Sequence, residues 1–138
     1  MQLDHYSSKF SKKIFPIILV SDSVSHAANI GSLFRAADSF GIPHLILGGN
    51  AVELGRKFTK ASRATEQSIS FEQTENTLKK IKDLKSKNYL IVGLEITDKS
   101  LKISDLILPK NSKIVLVIGN EKHGISTPIL EICNHIVH

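Results

Sequence analysis

Two stretches of this chain carry polar side chains whose types and spacing suit chemistry. In residues 21–41 an amide, Asn29, and a guanidinium, Arg35, stand six positions apart on a segment with helical periodicity. Asn29 can cap that helix and still offer its amide to a ligand, and Arg35 falls on the polar face, opposite the apolar stripe. The alternative is a capped surface helix whose arginine pairs with Asp38. The second stretch reads Gly119-Asn120-Glu121-Lys122-His123-Gly124-Ile125-Ser126 and follows an apolar run. Its glycines would let a ligand come close to backbone amides and carbonyls, while Asn120 and Glu121 either hydrogen-bond a polar ligand or simply brace the turn. It lacks the glycine, lysine and hydroxyl order of a phosphate-cradling Walker loop. His26 and His123 lie in these two stretches, yet nothing pairs them into a metal site.

A third set, Arg56, Lys57, Lys60 and Arg63, shares one side of its segment if that segment is helical. Such a stripe either grips nucleic-acid phosphates or is a solvated basic face. Lys79, Lys80, Lys82, Lys85 and Lys87 read as solvated.

The elements that must position these groups are short and alternate in type. Apolar runs rich in β-branched residues or leucine occur at 17–20, 45–47, 90–94 and 114–118, with weaker ones at 69–71 and 136–138. Near-continuous apolarity suits strands covered on both faces. Between them Ile30, Leu33, Phe34, Ala37 and Phe40 recur at helical spacing until Gly41 and Pro43 stop the helix. Leu78, Ile81 and Leu84 mark a second helix, with Glu75 in its first turn and lysines toward its end. A third starts at Ser126 or Thr127, where a hydroxyl cap precedes Pro128. Strands alternating with helices predict an α/β domain with a doubly wound, mostly parallel sheet. In such sheets ligands sit beyond the carboxyl ends of the strands, here near Ser21, Gly48, Glu95 and Gly119.

The spacing Asn29-x-Gly31-x-x-x-Arg35-x-Ala37-x-x-Phe40-Gly41 resembles the first signature motif of the SpoU-type RNA ribose methyltransferases, TrmH-like members of the SPOUT superfamily. Gly119-Asn120-Glu121-x-x-Gly124-Ile125-Ser126 resembles the second, and the resemblance runs from about Ile17 to the last residue. It implies a SPOUT fold, a knotted α/β architecture that binds S-adenosylmethionine in a bent shape and works as a homodimer. The implied reaction moves a methyl group from S-adenosylmethionine to a ribose 2′-hydroxyl of tRNA or rRNA, with no metal. Carried over residue by residue, Asn29 and Arg35 would be the catalytic pair, supported by Glu121. Gly119, Asn120, Gly124 and Ile125 would line the cofactor pocket together with Leu94, Glu95 and Ile96; the stripe Arg56, Lys57, Lys60 and Arg63 matches no family motif and is a candidate RNA grip by its charge and spacing alone. The rival reading is a noncatalytic RNA-binding or dimerising module that keeps the fold without the cofactor. A flavodoxin-like nucleotide or signalling domain has only the strand–helix alternation behind it.

Bulk properties are compatible with this. The 138 residues suffice for one core, and 18 Lys and Arg against 13 Asp and Glu give a sequence pI of about 9.4, which favours a polyanionic partner only weakly. Cys133 stands alone, so no internal disulfide forms, a reducing cytoplasm is the simplest compartment, and the thiol reads as core packing. The apolar run at 17–20 is too short for a membrane span. Residues 1–15 are expected to be a loose basic segment ahead of a methyltransferase domain at 16–138. The family's third motif, a Pro-rich turn and helix after the last strand, has no counterpart here. The expectation is therefore a longer polypeptide whose further segment completes the knot, the cofactor pocket and the dimer, and whose packing site is an exposed apolar groove.

Overall fold

A computed structural model describes residue 11 and residues 13–138. Its sheet has six strands: β1 Ile17–Asp22, β2 His44–Gly48, β3 Ser70–Thr74, β4 Leu90–Leu94, β5 Ile114–Ile118 and β6 His135–Val137. They lie in the order β3-β2-β1-β5-β4-β6, and every pairing is parallel. Helix α1 (Ala27–Ser39) follows β1, α2 (Arg56–Ser62) precedes β3, α3 (Thr77–Ser86) precedes β4, and α4 (Thr127–Ile132) joins β5 to β6. All four main apolar runs are strands, and the two weaker ones become β3 and β6. The basic N-terminal segment expected to be loose falls largely outside the described residues.

Period-two geometry explains why the strand sequences do not alternate in polarity, since neighbouring side chains go to opposite, equally apolar faces. Leu19, Leu45 and Leu47 meet Ile30, Phe34 and Ala37 of α1 and Phe58 of α2 on one face. Val20, Ile46, Ile91, Val115 and Val117 meet Ile81, Leu84 and Ile129 of α3 and α4 on the other. Helices α1 and α2 approach closely because residue 31 is glycine. A Cβ there would lie 2.6 Å from the Phe58 carbonyl oxygen and 2.9 Å from the Ser62 nitrogen.

Helix boundaries differ from the sequence reading in four places. Helix α1 starts at Ala27, so Asn29 sits inside the first turn and does not cap. The α1 stripe stops at Ala37, and Phe40, the C-cap, is 71% exposed. There Gly41, at φ +68, lets Ile42 N–H reach the Ala37 carbonyl at 2.8 Å and Gly41 N–H the Asp38 carbonyl at 3.3 Å. This paired closure turns the chain before Phe40 can join the core. Glu75 lies ahead of α3, whose cap is Asn76, its side chain accepting from Lys79 N–H at 3.0 Å. The Ser126 side chain makes no capping bond to α4. Two of the lysines expected to be solvated have partners. Lys80 pairs with Glu72 at 2.9 Å and so holds that carboxyl below its ordinary pKa, and Lys85 donates to the Ile132 carbonyl at 2.6 Å.

Candidate active site at the β1–β5 crevice

The sheet order places β1 beside β5, so the loops leaving their carboxyl ends are neighbours. The loop after β5 folds into a tight turn. Asn120 N–H donates to the Gly124 carbonyl at 3.0 Å, and Gly124 N–H returns to the Asn120 carbonyl at 2.9 Å. The Asn120 side-chain oxygen accepts from Lys122 and His123 N–H, while its Nδ2 donates to the Ser23 carbonyl at 2.7 Å. Asn120 therefore braces the turn and ties it to β1.

Glu121 carries the connection further. Its Oε1 accepts from the Asn29 Nδ2 at 3.0 Å and from His26 N–H at 3.1 Å, and lies 3.0 Å from His26 Nδ1. Its Oε2 accepts from the Ser25 hydroxyl at 3.2 Å and Ser25 N–H at 3.3 Å. The α1 N-cap, His26, offers no side-chain cap, so a carboxylate from another loop sits at the helix start, where the helix dipole favours negative charge. Burial by itself would raise the Glu121 pKa. The Asn29 amide and the backbone and side-chain donors around it, those of His26 included, outweigh that and hold the carboxyl well below its ordinary 4.5. Because Nδ2 of Asn29 faces Glu121, its Oδ1 is left with no partner among the described residues.

Two more carboxylates fix this loop from either side of β5. Asp22, buried at the end of β1, accepts from Ser126 N–H at 2.8 Å, and Glu95, just past β4, accepts from Ile125 N–H at 3.0 Å. The glycine spaces are filled by the chain itself. A Cβ on Gly119 would sit 2.1 Å from the Gly124 carbonyl carbon, and one on Gly124, whose φ is +67, would sit 2.2 Å from Glu95 Oε2. Sequence reasoning missed Asp22 and Ser25. An acidic residue closing an apolar strand was the available signal for Asp22, and nothing local signals Ser25.

The structure thus joins Asn29, Asn120 and Glu121, and sets Glu95, Gly119, Gly124 and Ile125 in the same loop assembly. Arg35 is not part of it. Six residues of helix separate it from Asn29 by about 9 Å of rise and roughly a third of a turn. Its guanidinium has no hydrogen bond or ion pair among the described residues, with Asp38 or otherwise. Leu94, the last residue of β4, and Ile96 just beyond it are both exposed, Ile96 at 81%, and with Leu101 and Ile103 they present apolar surface on the β4–β6 side. Arg56, Lys57 and Lys60 are exposed on α2, with Arg63 as its C-cap. Among the described residues no group of His, Cys, Asp or Glu is placed to hold a metal ion, and no helix is long and apolar enough to cross a membrane. Cys133 packs against Gly93, and burial raises its thiol pKa.

Residues 16–138 match the SpoU rRNA Methylase family. Over 131 residues the chain is 26% identical to the 23S rRNA (guanosine-2′-O-)-methyltransferase RlmB of Blochmanniella floridana, covering 94% of this chain and 50% of that protein. It is 25% identical over 121 residues to the tRNA (guanosine(18)-2′-O)-methyltransferase of Aquifex aeolicus, covering 86% of this chain and 55% of that one. The chain spans about half the length of these curated relatives. The crystal structure of the A. aeolicus TrmH/SpoU tRNA modifying enzyme superposes with a TM-score of 0.80 at 22% identity, over 92% of this chain and 64% of that one. The fold is that of the SpoU-type SPOUT proteins.

Proposed function

Since the chain belongs to the SpoU rRNA Methylase family, we propose that it transfers a methyl group from S-adenosylmethionine to a ribose 2′-hydroxyl of tRNA or rRNA. The observation that carries this reading is the Glu121–Asn29 contact, which makes one site of the two motifs at the crevice between β1 and β5. Relatives named as tRNA and rRNA guanosine 2′-O-methyltransferases support the substrate class.

The residues present fit the cofactor. Exposed Leu94, Ile96 and Leu101 offer an apolar wall for an adenine ring, and the backbone of the Gly119–Asn120 turn lies alongside. Bound there, S-adenosylmethionine supplies an electrophilic methyl on a positively charged sulfur. Glu121, kept ionised by its donors, adds a negative charge to the same crevice, which would favour a cationic ligand there. Asn29 Oδ1 accepts a hydrogen bond from the acceptor hydroxyl and aims it. For the ribose oxygen to take that methyl, its hydroxyl proton would have to leave. A guanidinium is already protonated and has no acceptor site for that proton, so Arg35 stabilises the developing negative charge and a substrate phosphate receives the proton. Because Arg35 stands apart from Asn29 in one chain, a homodimer is part of this proposal.

The basic stripe supports an RNA partner for a physical reason. Arg56 and Lys57 occupy the first turn of α2, the end where the helix dipole disfavours cations, and no acidic residue offsets them there. A polyanion would relieve that conflict. A cytoplasmic location fits an RNA substrate and the single cysteine.

Calorimetry with S-adenosylmethionine, followed by labelled-methyl transfer to bulk tRNA and rRNA and nucleoside analysis, tests the reading. The expected product is a 2′-O-methylnucleoside. Absence of cofactor binding would favour the noncatalytic RNA-binding module, and a methylated base would overturn the reaction assigned.

A further inference from the structure

A groove of mixed polar and apolar lining runs from the Glu121 cluster in the direction away from β4 and β6, over the carboxyl ends of β1, β2 and β3. It opens as a cleft of about 460 Å³ beside Ser23, Ser25 and Asn120, bounded on its far side by Asn50 and Val52. It continues past Gly48 and Gly49 to Gln73 on β3. That volume lies in the range of small-ligand sites.

We propose that this groove holds the base of the acceptor nucleotide and that the side-chain amides of Asn50 and Gln73 read it; the assignment rests on the methyl-transfer reading above. Three observations support it. The first is position. The cleft shares its Ser25 and Asn120 walls with the cluster that contains Asn29, so a ribose hydroxyl held at Asn29 puts its base into the groove and leaves the β4–β6 side to the cofactor.

The second is charge. Among the described residues no charged side chain lines the two adjoining clefts from Ser23 to Gln73, and ionic groups return only beyond Gln73, at Glu75 and Lys79. An uncharged base fits such a lining, whereas a phosphate does not. Val24 and Val52 add apolar surface on which a flat ring can lie.

The third is unused hydrogen-bonding capacity. Asn50 follows β2 and Gln73 lies on β3, in register with Leu47, so two different strands bring two amides to one groove. Neither amide side chain has a hydrogen-bond partner among the described residues. A carboxamide offers a donor and an acceptor side by side, the pattern that matches a base edge, and unstacked RNA bases are read on such edges.

The probes are the four nucleoside 5′-monophosphates and ribose 5-phosphate, followed by nitrogen-15 NMR of the protein as it stands. One of the four nucleotides should shift the Asn50 and Gln73 side-chain amide peaks, identified by their loss in Asn50→Ala and Gln73→Ala, more than the others do. The double variant should bind that nucleotide at least about tenfold more weakly and lose its preference among the four. Ribose 5-phosphate, which has no base, should bind wild type and double variant equally. Peak shifts confined to other residues, an unchanged preference in the double variant, or no shift with any nucleotide would overturn the proposal. Calorimetry with S-adenosylmethionine on the same samples separates the two readings. Cofactor binding with a misplaced nucleotide sinks the groove alone, and a correctly read nucleotide without cofactor binding sinks the methyl transfer alone.

Discussion

Glu121 and Asn29 lie 92 residues apart in sequence, and their side chains meet at 3.0 Å, carboxylate oxygen to amide nitrogen. The same carboxylate takes N–H groups from Ser25 and His26, so one residue of the β5–α4 loop both holds the chain entering helix α1 and fixes the amide that would face a substrate. The first prediction tests, by pH, what this contact does for stability.

Glu121→Gln keeps the shape and removes the charge. The native environment lowers the carboxyl pKa from 4.5, so the ionised form is favoured in the folded state. The stabilisation that follows is fully present above pH 4.5. It shrinks as pH falls below that value, because the unfolded chain takes up the proton first, and is gone once the folded carboxyl is also protonated. Wild type should therefore melt above Glu121→Gln at about pH 7, and the gap should narrow in acid. Melting curves at several pH values measure this, and a gap that widens in acid would contradict the assigned direction.

Gly31→Ala tests why the first motif holds a glycine. Alanine is the better helix former by about 1 kcal/mol, which alone would stabilise α1. Its Cβ, however, would press on the Phe58 carbonyl and the Ser62 nitrogen, backbone atoms that yield only if α2 moves. Overpacking of this kind costs roughly 1–3 kcal/mol. The net expectation is destabilisation, read as a lower denaturant midpoint. A raised midpoint would show that the two helices have room to part.

How much of this was legible depended on whether the signal was local. The runs at 17–20, 45–47, 90–94 and 114–118 became strands because burial on both faces writes itself into consecutive residues. Phe40 sat at the right spacing for the α1 stripe but is exposed, because Gly41 turns the chain one residue after it. Asn29 looked like a cap since its type prefers caps, whereas it lies inside the first turn and its side-chain amide goes to Glu121. No periodicity reports a bond across 92 residues. The two motifs could be named from sequence, but the glycines' role could not. Gly119 and Gly124 make room for the loop's own backbone and for Glu95, a fact that exists only after folding.

Gly124→Ala should be among the more damaging single changes. Residue 124 has φ +67, where a Cβ costs roughly 1–2 kcal/mol, and that Cβ would meet Glu95 Oε2. Glu95 would have to give up its bond to Ile125 N–H. In a double-mutant cycle with Glu95→Ala the two losses should therefore be less than additive, as expected for side chains that contact one another. Strict additivity in denaturant melts would mean that Glu95 moves aside freely.

Reversing Arg56 and Lys60 to glutamate tests the basic stripe. Both are exposed on α2, so stability should change little. If they hold RNA phosphates, binding weakens and the slope of log affinity against log salt becomes shallower by about one unit per lost contact. Filter binding of bulk tRNA over a salt series gives the slope. An unchanged slope would return the stripe to a solvated face.

Arg35→Ala addresses the proposed pairing of Asn29 with Arg35 directly. The guanidinium is exposed and makes no hydrogen bond or ion pair among the described residues, so its removal should leave the melting temperature nearly unchanged. If it stabilises charge developing on the ribose oxygen, the methyl-transfer rate should fall by at least about 10²-fold, the scale seen when one electrostatic stabiliser is lost. Affinity for S-adenosylmethionine should hold, because Arg35 lies away from the β4–β6 side. Arg35 also stands about 9 Å along α1 from Asn29, and a homodimer would bring a second copy of it to the crevice. Mixing Arg35→Ala with an inactive Asn29→Ala variant should then restore part of the activity, since one mixed site would hold both intact residues. A rate near wild type in Arg35→Ala alone would remove Arg35 from the mechanism, and no recovery on mixing would assign both residues to the same chain.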